Sequence, residues 1–231
     1  MKYSKIPVAQ SIVLLCLKKG IDHVVISPGS RNAPLTIGFA HHTAINSYSI
    51  VDERSAAFFA LGLAQQLQKP VALVCTSGSA LLNYYPAVAE AFYSDIPLVM
   101  ITADRPIERI DIGDGQTIRQ RNVFENHVLY SANLYSELVL EHDNQDDKLK
   151  QKRREAEKHN QQEINKALNM ALTESGPVHI NVPFYEPLYD IVDDVMVDPI
   201  EVRPQFHKEE LSDRELLPYV DFFNASQRKI V

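Results

Sequence analysis

Short runs of apolar residues alternate along the chain with longer stretches that are apolar on one helical face only. The runs predict β-strands at His23–Ser27, Ser47–Val51, Val71–Cys75, Pro97–Thr102, His127–Tyr130 and Val178–Val182. The longer stretches predict helices over residues 6–19, 53–67, 79–93 and 154–174. Strands that are buried on both faces read as nearly continuous Val, Ile and Leu. The pattern therefore predicts an α/β fold, with a three-layer, mostly parallel sheet and helices on both faces.

The later sequence departs from this alternation. Residues 141–162 are dense in charged and amide side chains and predict a solvated loop that runs into an exposed helix face. Leu211–Phe223 has a pattern that allows one more helix. We expect one domain over residues 1–190, followed over 191–231 by a proline-punctuated linker and the start of a truncated second domain. Gln227–Val231 resembles the beginning of a strand, which is why we expect the truncation.

Composition narrows the class of protein. The formal net charge is -7, and no basic stripe is present that could neutralise a phosphate backbone, so we expect no nucleic-acid partner. No apolar run approaches the roughly 20 residues that span a bilayer, and Met1–Lys5 leads into an amphipathic pattern instead of a secretory signal. We therefore expect a cytoplasmic protein without a membrane span. Cys16 and Cys75 lie in apolar segments and are expected to be buried free thiols.

An acidic residue stands where the predicted strand Ser47–Val51 leads into an alanine-rich helix. Carboxyl ends of strands in open α/β sheets are where ligands bind, so the Glu53 carboxylate could be aimed at a bound ring. The alternative is local, because Asp52 is a good N-cap and Glu53 would then lie in the first turn, where the helix dipole favours negative charge. The segment alone favours the capping interpretation and leaves both open.

Two further strand ends carry polar residues. Ser27–Leu35 follows the first predicted strand, and its backbone N–H groups and Arg31 are suited to hold an anion. An ordinary βα turn built on Pro28 and Gly29 is an equal alternative. Thr76–Gly78 repeats the arrangement after the third predicted strand. The two segments therefore predict two walls of one pocket.

The next strand end supplies more cationic side chains. Arg105 follows the fourth predicted strand, and the glycine-containing loop Gly113–Gln120 adds Gln116 and Arg119. Arginine guanidinium groups bind carboxylates through two parallel hydrogen bonds. Converging arginines therefore predict a substrate with more than one anionic group.

Together these motifs resemble the N-terminal, pyrimidine-binding domain of thiamine-diphosphate enzymes, over roughly residues 1–190. The motifs that carry the resemblance are Ser-Pro-Gly-Ser-Arg, Asp-Glu-Arg-Ser-Ala-Ala-Phe, Thr-Ser-Gly-Ser-Ala, Ala-Asp-Arg-Pro, Gly-Gln-Thr-Ile-Arg-Gln and Gly-Pro-Val-His-Ile-Asn-Val-Pro-Phe. Within that family they are most similar to a synthase of menaquinone biosynthesis, which decarboxylates 2-oxoglutarate and adds the product to isochorismate. Several long motifs in the family's order make the resemblance specific.

The resemblance implies a role for each candidate residue. Glu53 corresponds to the glutamate that hydrogen-bonds N1′ of the cofactor's aminopyrimidine ring, and the cofactor supplies the carbanion chemistry. Residues implied on the cofactor side, besides Glu53, are Thr76, Ser77 and Gly78. Residues implied to face isochorismate or the growing adduct are Ser30, Arg31, Arg105 and Gln116.

The family holds Mg²⁺ and the diphosphate with a Gly-Asp-Gly motif and a later Asn in a C-terminal domain. Gly113–Gly115 and Asn144 imitate that motif, but no clear buried strand precedes them and Asn144 lies in a charged run. We therefore expect no metal site in this chain and no activity of the 231 residues alone. The cofactor of this superfamily lies between two subunits, which implies a homo-oligomer, either a dimer or a tetramer. Two alternatives remain: another thiamine-diphosphate-dependent decarboxylase or synthase, and a non-catalytic binding domain of the same fold.

Overall fold

The computed structural model describes residues 1–136, 147–204 and 211–226 of the chain. The helices are α1 (Pro7–Lys18), α2 (Ala33–Ala40), α3 (Glu53–Leu67), α4 (Tyr85–Tyr93), α5 (Asp147–Glu174) and α6 (Asp213–Ala225). The strands are β1 (Tyr3–Ser4), β2 (His23–Ile26), β3 (Asn46–Ser49), β4 (Val71–Cys75), β5 (Leu98–Asp104), β6 (Tyr130–Asn133), β7 (Val178–Pro183) and β8 (Ile191–Val192). Three 3₁₀ segments lie at Gly78–Tyr84, Ile107–Arg109 and Glu125–His127.

Six of the strands form one parallel sheet, in the order β3-β2-β4-β5-β7-β6. The two short strands β1 and β8 pair separately as an antiparallel ribbon. The predicted α/β fold with a mostly parallel sheet is therefore confirmed.

Alternate residues of the central strand β4 supply the two faces of the core. Ala72 and Val74 pack in the apolar cluster that includes side chains of α1, α2 and α5. Val71, Leu73 and Cys75 pack in a second cluster with side chains of α3 and α4. A strand that is buried on both sides explains the continuous apolar run in the sequence and gives the three layers.

The order in which strands are added to the sheet reverses between β2 and β4. From β2 the chain passes through α2 to the edge strand β3, then returns to place β4 on the other side of β2. The segments that follow β2 and β4 leave toward opposite faces, since α2 packs in one apolar cluster and Gly78–Tyr84 in the other. Such a switch point creates a crevice at the carboxyl ends of the two strands.

Several predicted bounds differ from the structure. The predicted helix 79–93 begins as a 3₁₀ segment and becomes α-helical only at Tyr85, where Pro86 lacks the N–H group that a longer α-helix would use. The predicted strand His127–Tyr130 was placed too early, because β6 is Tyr130–Asn133. Helix α5 starts at Asp147 instead of residue 154. Residues 141–146 of the predicted loop, Asn144 among them, and Gln227–Val231 lie outside the described residues.

The segment after β8 runs along helices α1 and α5. Lys19 Nζ and Asn169 Nδ2 both donate to the carbonyl oxygen of Val202, at 2.6 Å and 3.0 Å. Asn165 donates to the carbonyl of Ile200 at 2.9 Å and accepts from the N–H of Val202 at 2.8 Å. The predicted linker is thus held by side chains of the helices up to this point, and the division at residue 190 stays a prediction.

Helix α6 covers most of the region where the sequence allowed one more helix. Its residues are all exposed, and Ser212 and Glu215 form a capping box at its start. In the part of the chain that the structure describes, none of the helices combines the length and apolar character needed to cross a membrane.

Candidate functional site

Six of the predicted site residues line one cleft at the switch point of the sheet. The cleft has a volume of ≈ 840 Å³. Its predicted members are Ser30 and Arg31 after β2, Thr76 and Ser77 after β4, Arg105 after β5, and Gln116. Residues Glu186–Asp190, which follow β7, close the cleft on the remaining side. The structure therefore brings the four substrate-side candidates together with two of the cofactor-side candidates.

The first wall of the cleft packs tightly against the end of β4. The backbone N–H of Arg31 donates to Thr76 Oγ1 at 3.2 Å. A Cβ atom on Gly29 would lie 2.5 Å from Thr76 Cβ, so only glycine permits this approach. The turn after β2 thus has both properties that the sequence suggested, since it is a glycine-dependent turn and it places Arg31 in the cleft.

Arg31 is held from two directions. Its Nη1 donates to the carbonyl oxygen of Phe184 at 3.1 Å, and its Nη2 donates to Glu186 Oε1 at 3.0 Å. The Arg31 side chain is only 6% exposed, whereas the Glu186 side chain is 72% exposed. The described structure therefore shows a buried cation whose carboxylate partner comes from the chain itself.

Arg105 reaches the cleft from the end of β5. Its Nη2 donates to the carbonyl oxygen of Gly115 at 3.1 Å, and its Nη1 lies 4.0 Å from Glu186 Oε1. Its backbone N–H donates to Asp104 Oδ1 at 2.7 Å. Burial raises the pKa of the Asp104 carboxyl to about 6. The second cation of the cleft is thus held both at its backbone N–H and at one guanidinium nitrogen.

Gln116 contacts the other wall through its backbone. Ser77 Oγ donates to the carbonyl oxygen of Gln116 at 3.1 Å. Gly78 has φ +84°, and a Cβ atom there would lie 2.7 Å from that carbonyl oxygen. Gly78 is not among the residues that line the cleft. Its place is beneath the loop that carries Gln116, where only glycine fits.

The sequence analysis did not single out Gln120, which joins three parts of the site. Gln120 Oε1 accepts from the N–H of Gly78 at 2.8 Å, and its Nε2 donates to the carbonyl of Ala103 and to Asn181 Oδ1, each at 3.0 Å. Asn181 Nδ2 in turn donates to Asp104 Oδ2 at 2.8 Å. This buried network connects the loops after β4 and β5. In the sequence, Gln120 is distinguished only as the last residue of the loop Gly113–Gln120, which had been noted for Gln116.

Three histidines on or near the strands make hydrogen bonds in the structure. His23 lies 2.9 Å from Asp22, His127 lies 2.9 Å from the Tyr85 hydroxyl, and His179 Nε2 lies 2.7 Å from Thr102 Oγ1. Burial lowers the pKa of His179 to about 3, so its ring is neutral.

Glu53 begins helix α3 at the same edge of the sheet, but it does not line the cleft. The helix is capped by the neighbouring residue, since Asp52 Oδ1 accepts from the N–H of Ser55 at 2.8 Å. Glu53 is half-buried. No hydrogen bond or salt bridge links its carboxylate to any other residue in the described part of the chain. Asp52 is therefore the N-cap and Glu53 lies in the first turn, as the sequence indicated, and the Glu53 carboxylate stays available.

Two buried titratable groups lie in the field of Glu53. Burial first, and the Glu53 carboxylate as a smaller contribution, raise the pKa of the Cys75 thiol. Burial, the Cys75 thiol and the Glu53 carboxylate raise the pKa of the Tyr84 phenol well above its usual value. Both groups stay neutral at ordinary pH, and Cys16 and Cys75 are free thiols as predicted. The buried thiol and phenol nearest in influence to Glu53 are thus neutral.

Metal binding finds no support in the residues that the structure describes. They contain no group of three or more His, Cys, Asp or Glu side chains arranged to hold an ion. Gly113–Gly115 lies in the loop beside Arg105, whose guanidinium donates a hydrogen bond to the carbonyl oxygen of Gly115. A cation next to that arginine would be repelled.

The chain was compared with known protein families. Residues 6–132 match the family model described as thiamine pyrophosphate enzyme, N-terminal TPP binding domain. This range begins at the residue before α1 and ends within β6, so it contains β2 to β5 and every predicted site residue.

Three similar proteins share the name 2-succinyl-5-enolpyruvyl-6-hydroxy-3-cyclohexene-1-carboxylate synthase. The protein from Christiangramia forsetii is 71% identical over the whole of this chain, which spans 40% of that relative. The protein from Flavobacterium psychrophilum is 55% identical over the whole chain, which spans 38% of it. The protein from Geobacillus kaustophilus is 46% identical over 77% of this chain and 29% of its own length. The chain thus spans well under half the length of these relatives.

Proposed function

The chain belongs to the thiamine pyrophosphate enzymes through their N-terminal TPP binding domain, and from this membership we propose a more specific role. It supplies the pyrimidine-binding part and the isochorismate cleft of a thiamine-diphosphate-dependent synthase. The synthase decarboxylates 2-oxoglutarate and adds the succinyl-semialdehyde unit to isochorismate, which gives 2-succinyl-5-enolpyruvyl-6-hydroxy-3-cyclohexene-1-carboxylate. The relatives' shared name supports this reaction. The observation that carries the proposal is the meeting of Ser30, Arg31, Arg105 and Gln116 in one cleft at the switch point.

The fit to thiamine diphosphate rests on Glu53. A carboxylate that shares a proton with a ring nitrogen must lie at the ligand edge of the sheet, must not be committed to another partner, and gains from exclusion of water. Glu53 meets the first two conditions, because it begins α3 at that edge of the sheet and Asp52 caps the helix. When bound, the cofactor supplies the electron sink that decarboxylation and carbon–carbon bond formation need.

The chain's own contribution to the chemistry is to hold one proton and two carboxylates. Glu53 would exchange a proton with N1′ of the aminopyrimidine ring. Arg105 and Arg31 would bind the carboxylates of isochorismate, because charge-assisted bonds from arginine are strong and directional. Ser30 and Gln116 offer neutral donors on either side of them. Because the Arg105 guanidinium lies against Gly115 and disfavours a cation at Gly113–Gly115, we assign Mg²⁺ to the part of the relatives that this chain does not span and derive no step through it.

The arginine assignment is tested with Arg105→Met in the intact protein that carries this chain. The variant keeps an unbranched apolar side chain in place of the arginine stem and removes the charged guanidinium group. We expect the KM for isochorismate to rise roughly 10- to 100-fold, which corresponds to the loss of one hydrogen bond between charged groups. The KM for 2-oxoglutarate should change much less. Both values come from steady-state kinetics in which one substrate is varied at a time.

The matched control is Arg119→Met, in the loop Gly113–Gln120 whose Gly115 carbonyl accepts a hydrogen bond from Arg105. Arg119 is exposed and pairs with Asp111 at 2.9 Å, outside the residues that line the cleft. We expect it to leave both KM values unchanged. Equal KM values in Arg105→Met and wild type would remove Arg105 from the substrate site. Use of a small 2-oxo acid in place of isochorismate would instead favour another thiamine-diphosphate-dependent decarboxylase or synthase.

We also propose that the protein is a cytoplasmic homo-oligomer, a dimer or a tetramer. The support is a set of exposed apolar side chains, which includes Phe58 and Phe59 of α3, a few residues after Glu53, and Leu82 of the 3₁₀ segment Gly78–Tyr84. Burial of such side chains against a second copy stabilises association. Sedimentation velocity of the intact protein is expected to show a dimer or larger species, and a single monomer boundary at micromolar concentration would overturn the proposal.

A further inference from the structure

The anion site of the cleft already contains a carboxylate. Glu186 Oε1 lies 3.0 Å from Arg31 Nη2 and 4.0 Å from Arg105 Nη1, so one oxygen atom stands between both guanidinium groups. All three residues line the same cleft. A ligand carboxylate that binds both arginines would therefore occupy the position of this oxygen.

The donor groups of Arg31 show why the two carboxylates exclude each other. Nη1 is committed to the carbonyl oxygen of Phe184 at 3.1 Å, and Nε is buried without a partner. The edge of the guanidinium that remains is the one that Glu186 covers. Because the Arg31 side chain is only 6% exposed, a ligand reaches it at that edge or not at all.

The Glu186 carboxylate can be released from the two arginines at little cost of its own. Its side chain is 72% exposed, and in the part of the chain that the structure describes its carboxylate pairs only with these two arginines. Ion pairs with an exposed partner contribute little to stability, since water competes for the carboxylate and the side chain gains freedom when released. Rotation of Glu186 into solvent would, however, leave the buried Arg31 without a counter-charge, which is costly unless another anion takes its place.

We propose that Glu186 is an internal carboxylate that occupies the anion site of the cleft and is displaced by a carboxylate of the substrate. This inference rests on the proposed function, because it deepens the selection of substrates at the same cleft. Only a ligand with its own negative charge restores the pairing of Arg31, so Glu186 makes the cleft selective against uncharged ligands. The cost is a weaker apparent affinity for the correct anion.

The test is Glu186→Gln in the intact protein. Glutamine keeps the shape and an acceptor oxygen for Arg31 but lacks the charge that competes with the substrate. We expect the KM for isochorismate to fall by about two- to fivefold, the size of a change in one exposed charge interaction. The turnover number should change little. The matched control is Asp193→Asn, because Asp193 lies a few residues further on, is exposed, pairs with Lys2 and lies outside the cleft.

Two outcomes would overturn the inference. A higher KM in Glu186→Gln would show that Glu186 positions Arg31 for the substrate and does not compete with it. An unchanged KM, equal to that of Asp193→Asn, would show that the carboxylate is a bystander.

A second readout separates this inference from the proposed function. Malonate, a small dicarboxylate, is titrated calorimetrically into wild type and Glu186→Gln without substrate. Tighter binding of malonate to the variant supports the displaced carboxylate even if the protein does not turn over isochorismate, in which case only the proposed function fails. Equal affinity for malonate, or no binding to either protein, overturns the inference.

Discussion

Glu53→Gln is expected to lower the turnover of isochorismate and 2-oxoglutarate by roughly 10²- to 10⁴-fold, the usual contribution of a group that holds a proton during catalysis. Glutamine fills the same space and still forms hydrogen bonds, but it cannot exchange a proton with a ring nitrogen. The start of α3 should be undisturbed, because the cap is the Asp52 carboxylate that accepts from the N–H of Ser55. The measurement is the initial rate of the intact protein with saturating thiamine diphosphate and Mg²⁺.

Asp52→Asn is the matched control for this prediction. It removes a negative charge one residue earlier, and asparagine is as good an N-cap as aspartate. We expect the rate of Asp52→Asn to stay near that of wild type. If Glu53→Gln retained the wild-type rate, Glu53 would be only a favourable charge in the first turn of the helix, and its proposed role in proton exchange would fall.

Gly78→Ala is expected to destabilise the folded protein by about 2 kcal/mol or more. One part of the cost is the left-handed backbone at φ +84°, which disfavours any residue with a Cβ atom by about 1–2 kcal/mol. The other part is steric, because the new Cβ atom would lie 2.7 Å from the carbonyl oxygen of Gln116 and 2.9 Å from its carbonyl carbon. Those atoms belong to the backbone, so the clash is relieved only if the loop moves. The Gln116 side chain should then leave the cleft and the KM for isochorismate should rise.

The free energy of unfolding is measured by urea denaturation followed by circular dichroism, since the chain has no tryptophan. Gly62→Ala is the control with the opposite sign. Gly62 lies inside α3, and a Cβ atom there meets nothing within 4 Å. Alanine at that position should stabilise the protein by about 0.5–1 kcal/mol. A Gly78→Ala protein as stable as wild type would show that the loop carrying Gln116 yields without cost.

The positions of the cleft residues were predictable from the sequence because a general rule of parallel sheets places them. Ser30, Thr76 and Arg105 each follow a buried apolar strand, and carboxyl ends of parallel strands meet at one edge. The sequence could therefore name the members of the cleft without any knowledge of distances. The same rule, applied to the strand at Val178–Val182, would also have found Glu186, to which the sequence motifs assigned no role.

Other features depend on contacts between distant residues and leave no local signal. Gln120 contacts Asn181, which lies 61 residues further along the chain. Asn165 binds the backbone at Ile200 and Val202, so a segment with the composition of a linker is fixed by a helix. Whether Glu53 serves only the first turn of the helix or also faces a ligand was likewise undecided, because an acidic residue after an N-cap suits both roles.

The reaction itself is the central claim, and its most direct test is turnover by the intact protein. Isochorismate and 2-oxoglutarate are supplied with thiamine diphosphate and Mg²⁺, and the product is followed by mass spectrometry. The account predicts that both substrates are consumed together and that 2-succinyl-5-enolpyruvyl-6-hydroxy-3-cyclohexene-1-carboxylate accumulates in equal amount. Consumption of 2-oxoglutarate or another 2-oxo acid while isochorismate is untouched would contradict it.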